Sequence, residues 1–163
     1  VGAEKKVRVR GDDNLIGFVR TRVSRGRLQV DVDPVFATDS EPLSVTIYTP
    51  ELTSLELGGA VATKVSGLDG GDLDLVASGA THVSLDGNVA CFGAELTGAS
   101  SLDGADFSAQ CADLSASGAS TIELAVSESL RVSLNGASSL VVHGTPRILS
   151  QEVDGASHLD IGD

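Results

Sequence analysis

The sequence predicts an all-β fold, a parallel β-helix in which each turn takes about 19 residues. Three observations support this prediction. A Gly-Ala dipeptide recurs through the last two thirds of the chain at steps of 20, 19, 20, 18 and 19 residues. Hydrophobic and polar residues alternate on both sides of the dipeptide. The chain contains 19 glycines but only one Tyr, four Phe and no Trp, which fits many tight corners around a stacked aliphatic interior.

The last five copies of the repeat share a Gly-Ala pair that is followed by Ser or Thr, and Gly59-Ala60 is a weaker first copy. Their glycines are Gly79, Gly98, Gly118, Gly136 and Gly155. A unit this short cannot bury its own apolar face, so the copies must stack on one another. Glycine tolerates the φ values of a corner, and we expect the small alanine to point inwards there.

Aligning the copies produces columns, which are sets of residues at the same position in successive turns. Hydrophobic residues stand six, four and two positions before the glycine, and four and six positions after it. The first set comprises Leu73, Leu75 and Ala77; Phe92, Ala94 and Leu96; Ala112, Leu114 and Ala116; Leu130, Val132 and Leu134; and Leu149, Gln151 and Val153. The second set comprises Val83, Leu85, Ile122, Leu124, Leu140, Val142, Leu159 and Ile161. A third segment supplies Val89, Phe107 and Val126.

This period of two is that of a strand with one buried face. Strands of successive turns in register would be parallel and about 4.8 Å apart. A β-sandwich of short strands is the alternative, although a sandwich does not need so regular a period.

Residues 1–163 are predicted to form a single domain, with residues 1–57 as opening strands or a cap and residues 58–163 as regular repeats. Alternating hydrophobic residues predict strands within residues 7–9, 19–23, 28–32 and 43–47. The polar stretch 35–42 is interpreted as an exposed loop.

The Gly-Ala-Ser-x-hydrophobic repeat resembles the putative auto-transporter adhesin family, also called the head GIN domain. Residues 11–16, 21–23, 26–30 and 49–57 are similar to the opening segments of that family. The resemblance implies a right-handed parallel β-helix, which also agrees with the general handedness of parallel crossovers. It further implies a bacterial periplasmic, outer-membrane or extracellular location, with a signal peptide ahead of Val1, and it brings no catalytic residues.

Charge is distributed unevenly. Residues 1–27 carry eight basic and three acidic residues, whereas the rest of the chain carries three basic and twenty acidic ones, for a net charge of −12. The arginines alternate with Val7, Val9, Val19 and Val23, so we interpret them as the solvated face of strands rather than as a nucleic-acid site. The acidic remainder would repel polyanions. No apolar run approaches the ~18 residues that a membrane-spanning helix needs.

Cys91 and Cys111 share a column, since each lies seven residues before a repeat glycine. Their Cα atoms should be about 5 Å apart, which is within the disulfide range, and the envelope location implied by the resemblance permits oxidation. A structural disulfide and a pair of stacked free thiols both fit this position. No Cys-x-x-Cys motif or third ligand indicates a redox or metal role.

The histidines are interpreted as surface residues. His82 and His158 share a column but are four turns apart, which is about 19 Å and too far for two ligands of one metal ion. His143 lies in another column.

Acidic residues are the strongest catalytic candidates. Asp103 and Glu123 share an outward column in successive turns, and paired carboxylates can cleave a glycosidic bond or hold Ca²⁺. Asp69, Asp72 and Asp74 form a second cluster. Neither group has basic or aromatic neighbours in sequence that would bind a sugar, so a solvated acidic surface is the main interpretation.

A column of hydroxyl residues follows the Gly-Ala pair. Its members are Thr81, Ser100, Ser120, Ser138 and Ser157. A nucleophile would not be repeated five times, so we interpret this column as a ladder that satisfies backbone groups at the corners.

The sequence, together with the family resemblance, thus predicts a structural or adhesive interaction module of the bacterial cell envelope without catalytic activity, cofactor or metal. The alternative is a carbohydrate-active β-helix that works through Asp103 and Glu123. The ligand of the interaction module is unknown, with a surface glycan or a protein as candidates. An open β-helix end exposes unpaired backbone, so we expect a following segment or a partner subunit to cover the end near Ile161, and self-association through such ends is possible.

Overall fold

The computed structural model describes residues 5–11, 16–32 and 43–162. The chain divides into two compact units, one up to Pro50 and one from Glu51 onwards. The prediction of one domain over residues 1–163 stays a prediction. Within the described ranges, no helix is both long and apolar enough to cross a membrane.

The first unit contains two pairs of antiparallel strands. Strand β1 (Lys6–Arg10) pairs with β4 (Ser44–Tyr48), and β2 (Val19–Ser24) pairs with β3 (Arg27–Val32). The turn between β2 and β3 has positive φ at both central residues, 51° at Arg25 and 81° at Gly26, which suits the twist of a two-residue hairpin. All four predicted strands are therefore confirmed, whereas the predicted loop at 35–42 lies outside the described residues.

The second unit is a stack of parallel strands that run through the corners of successive turns. They are β5 (Ser54–Asp69), β6 (Asp72–Gly98), β7 (Ser101–Gly118), β8 (Thr121–Gly136), β9 (Ser139–His143), β10 (Arg147–Val153) and β11 (His158–Gly162). The order of pairing is β5-β6-β7-β8-β9-β11, with β10 beside β8.

Residues about 19 positions apart lie above one another in this stack. Gly59 lies opposite Gly79, and Gly98 opposite Gly118. Leu114 lies opposite Ala94 on one side and Val132 on the other. The parallel β-helix prediction is therefore confirmed for residues 54–162. The β-sandwich alternative is wrong there, because the strands in this range pair in parallel and follow the repeat apart from local register shifts. The right-handed sense of the winding stays a prediction.

The interior is built from the predicted columns. From Leu73 to Val142 all residues of the predicted hydrophobic columns are at most 6% exposed. The two large aromatic side chains, Phe92 and Phe107, pack edge to face with ring centroids 5.0 Å apart. Because each buried aliphatic side chain contributes roughly 1.5–3 kcal/mol, the continuous columns are the main stabilising feature of the stack.

The last turn departs from the prediction, because Leu149, Gln151 and Val153 are all exposed. Gln151 and Val153 keep the predicted register opposite Val132 and Leu134, but no described strand pairs with the other side of β10. Strand β10 shifts register between Ile148 and Ser150, so Ile148 and not Leu149 lies opposite Leu130. Leu149 is the extra residue of this bulge and is 41% exposed. A β-bulge leaves one residue unpaired, which alignment on the glycine alone does not reveal.

The corners require glycine for two reasons. Gly98 has a φ of 88°, and a Cβ there would lie 2.6 Å from the carbonyl oxygen of Gly79 in the preceding turn. Gly118 repeats this relationship with Gly98. A side chain at these positions would therefore meet both an unfavourable backbone conformation and the neighbouring backbone.

The expectation that the corner alanine points inwards is wrong. Ala99 and Ala119 are exposed, and the hydroxyl residue that follows each of them, Ser100 or Ser120, is at most 2% exposed. Ser100 and Ser120 lie two residues before the buried Leu102 and Ile122, so the alternation of the strand directs them into the core and the preceding alanine outwards.

The ladder interpretation of the hydroxyl column is confirmed. The hydroxyls of Ser100, Ser120 and Ser138 each donate to the carbonyl oxygen three residues earlier, at 2.9, 3.2 and 3.0 Å. Thr81 continues the ladder by donating to the Ser100 hydroxyl at 2.9 Å. Buried hydroxyls with partners avoid the cost of an unsatisfied polar group, and among the described residues no buried side-chain polar atom lacks a partner.

Candidate functional site

Asp103 and Glu123 lie opposite each other in neighbouring turns, on the strand face that follows the corner glycines. The prediction that they share an outward column is confirmed. Ser84 precedes Asp103 in this column and Val141 follows Glu123. Asp103 is exposed and Glu123 is partly exposed.

The two carboxylates have different partners. Oδ1 of Asp103 accepts a hydrogen bond from the backbone N–H of Ala105 at 3.3 Å. This bond keeps the Asp103 carboxylate next to the backbone that directly follows it. Oε1 of Glu123 lies 2.9 Å from Nε2 of His143. The side chains of His143 and Glu123 are 46% and 45% exposed, so their attraction is screened by water and contributes little to stability.

His143 was predicted to be a surface histidine in another column, and the structure bears this out. It lies opposite Ala125, two residues beyond Glu123. Its approach to Glu123 was missed because columns describe backbone positions, whereas two long side chains can span neighbouring columns. The only sequence signal for this contact is a spacing of 20 residues, which is close to one turn.

A shallow notch lies beside this pair and results from an irregularity in the repeat. The step from Gly118 to Gly136 is 18 residues, whereas the step before it is 20. Strand β7 pairs Gly104 with Leu124 and then Ser108 with Ala125, so residues 105–107 have no counterpart in β8. The missing corner leaves an open depression lined by Ser108, Ala125, Val126, Ser127, His143, Gly144 and Thr145.

The other two histidines do not meet. The ladder from His82 runs through Ser101, Thr121 and Ser139 to His158, which confirms that they share a column four turns apart. Nδ1 of His82 lies 2.7 Å from the hydroxyl of Ser101.

The second acidic cluster lies where β5 ends and β6 begins. Asp69, Asp72 and Asp74 are all exposed. Oδ1 of Asp72 accepts a hydrogen bond from the backbone N–H of Cys91 at 3.1 Å. This bond links the Asp72 side chain to the backbone of the following turn. In residues 5–11, 16–32 and 43–162, no group of three or more His, Cys, Asp or Glu side chains is arranged to hold a metal ion.

Cys91 and Cys111 lie opposite each other on β6 and β7. Their Cα atoms are 4.7 Å apart, and the structure joins them in a disulfide that spans 20 residues of sequence. The disulfide in the isolated protein stays a prediction.

The basic residues of the first unit lie on its strands. Arg8 and Arg10 of β1 and Arg22 of β2 are exposed, as are most residues around them. This agrees with their interpretation as a solvated face. The absence of nucleic-acid binding stays a prediction.

A family model and one solved structure agree with this architecture. The model of a family described as putative auto-transporter adhesin, head GIN domain, matches residues 1–146. The crystal structure of a putative adhesin from Bacteroides fragilis NCTC 9343 is similar at 19% identity, with a TM-score of 0.76, and covers 97% of this chain and 83% of its own. A putative adhesin from Parabacteroides merdae ATCC 43184 is 12% identical, with a TM-score of 0.49 over 95% of this chain and 82% of its own. No curated protein matches the chain.

Proposed function

This chain belongs to the putative auto-transporter adhesin, head GIN domain family, and we propose that it is a non-catalytic binding module of the bacterial cell envelope. In this proposal the outer faces of the right-handed β-helix bind a surface glycan or a protein. Fold alone does not establish function, so the proposal depends on what these faces present.

The observation that carries the proposal is the ladder of polar side chains on the face after the corner glycines. His82, Ser101, Thr121 and Ser139 follow one another in register on successive strands. The carboxylates of Asp103 and Glu123 lie two residues further along the same strands. Flat rows of hydroxyl and carboxylate groups, spaced about 4.8 Å apart, suit an extended ligand that is bound through many weak contacts.

The described part of the site resembles a binding surface more than a catalytic cleft. The notch is shallow and open, and the carboxylates of Asp103 and Glu123 have separate hydrogen-bond partners. A glycosidase instead needs two carboxyl groups that face one bond from opposite sides. This geometry supports the absence of catalysis.

The experiment is a glycan array combined with a polysaccharide-depolymerisation screen and pull-down from bacterial surface extracts. The proposal predicts retention of a glycan or a surface protein without release of new sugar ends. Release of new ends that is lost in the Asp103→Asn variant would replace it with a carbohydrate-active enzyme. Retention of neither class of ligand, together with light scattering that shows concentration-dependent assembly, would replace it with a self-associating scaffold.

A further inference from the structure

The notch lies at the largest register shift among the described strands of the stack, where residues 105–107 have no counterpart, whereas each of the other shifts involves one residue. Ladders repeat the same groups in every turn, so they cannot by themselves give one preferred position to a ligand. The shortened corner between Leu124 and Ala125 creates one such position, because residues 105–107 of the preceding turn extend beyond it.

The groups around the notch form a mixed set of hydrogen-bonding partners. Ser108, Ser127 and Thr145 contribute hydroxyls to its lining, and each hydroxyl can donate or accept. His143 lies in the lining and contacts Glu123 through one carboxylate oxygen, Oε1. Glu123 is not itself in the lining, but this contact places its carboxylate at the edge of the notch, and the second carboxylate oxygen can still accept a hydrogen bond.

The charge around the notch is negative. Asp103 lies opposite Glu123, and Asp106 lies on the corner that extends beyond the notch. Between residues 98 and 145 the chain has five acidic residues and a single basic one, Arg131. Such a surface raises the local concentration of cations and repels anions.

We propose that the notch binds a sugar that carries a free primary ammonium group, that is, an amino sugar without its N-acetyl group. The ammonium would donate to the open oxygen of Glu123, and the ring hydroxyls would pair with Ser108, Ser127 and Thr145. This inference rests on the proposed binding function and names the ligand class for one position on that surface.

The lining favours a sugar over the lysine side chain of a partner protein. Protein partners are anchored mainly by aromatic and arginine side chains in well-packed, desolvated pockets. The notch is open, and apart from Val126 its lining consists of small or polar residues. The notch therefore offers hydrogen-bond partners close to the protein surface, where the hydroxyl groups of a sugar ring can reach them.

The test is a calorimetric or NMR titration with a β-1,4-linked glucosamine tetramer, its fully N-acetylated counterpart and tetralysine. The glucosamine tetramer should bind at least tenfold more tightly than either other probe. Glu123→Gln should weaken that binding at least tenfold. Glu95→Gln removes the same charge from an exposed position on the strand face before the corner glycine, and it should change the affinity less than twofold.

Three outcomes would overturn the proposal. Equal losses in Glu123→Gln and Glu95→Gln would show bulk charge attraction rather than a site. Tetralysine that binds as tightly as the sugar, with the same dependence on Glu123, would indicate a protein partner. The third outcome is that the glucosamine tetramer does not bind. If the glycan array still retains another ligand, this result rejects only the proposed site at the notch. If the array and the pull-down are also empty, it counts against the binding function as well.

Discussion

Nε2 of His143 lies 2.9 Å from Oε1 of Glu123, although their backbones occupy different columns of the β-helix. The contact joins strand β9 to strand β8 at the point where the repeat is two residues shorter than in the preceding turn. A local change of repeat length thus produces a distinct polar site on a surface that otherwise repeats itself.

We predict that Cys91 and Cys111 are disulfide-bonded in the purified protein. Their Cα separation of 4.7 Å allows the bond. Under denaturing conditions without reductant, an alkylating agent should add no mass, and after reduction it should add two groups. Replacing both cysteines with serine should lower the free energy of unfolding by about 2–4 kcal/mol, measured by urea denaturation. Full alkylation without reductant would contradict the prediction.

We predict that Gly98→Ala lowers the free energy of unfolding by about 2 kcal/mol or more, because its φ of 88° disfavours an L side chain and its Cβ would overlap Gly79. Gly58→Ala is the matched control, since a Cβ there meets only the Ser78 hydroxyl at 3.5 Å. It should cost less than ~1 kcal/mol, in line with surface substitutions. Equal effects of both variants in urea denaturation would show that the corners tolerate side chains.

The orientation of the corner residues gives a third prediction. Ala119→Leu should change the free energy of unfolding by about 0.5 kcal/mol or less, because the alanine is exposed. Ser120→Leu should cost about 2–4 kcal/mol, because it overfills the core and removes the hydrogen bond to the Ser117 carbonyl. Thermal and urea unfolding measure both. The reverse ranking would restore the expectation that alanine points inwards.

The sequence predicted the features that follow from the repeat. The inner columns, the pairing of Asp103 with Glu123 and the separation of His82 from His158 all depend only on residues one turn apart being stacked. The repeated glycines and the period of two are sufficient for these predictions, because residues one repeat apart are stacked wherever the register of the turns is constant.

What the sequence did not predict depends on local departures from the period. The bulge at Leu149 and the missing corner between Leu124 and Ala125 change the register within a turn. An alignment of the repeats on their glycines does not show where within a turn such a change occurs. The inward direction of Ser120 and the outward direction of Ala119 follow from the period of two that also buries Ile122. Residue size alone suggested the opposite.

The central claim is that residues about 19 positions apart are stacked in one column, and a distance measurement between spin labels tests it most directly. The labels are placed at His82 and His158, both exposed and four turns apart in the same column, in a protein whose two native cysteines are replaced by serine. Dipolar broadening in frozen-solution continuous-wave EPR spectra, which suits distances this short, should give a distribution centred near 19 Å, which is four strand spacings of about 4.8 Å. Labels at His82 and Ser139 should be one spacing closer. A broad distribution, or a distance that does not shorten by one spacing for the nearer pair, would contradict the stacked β-helix.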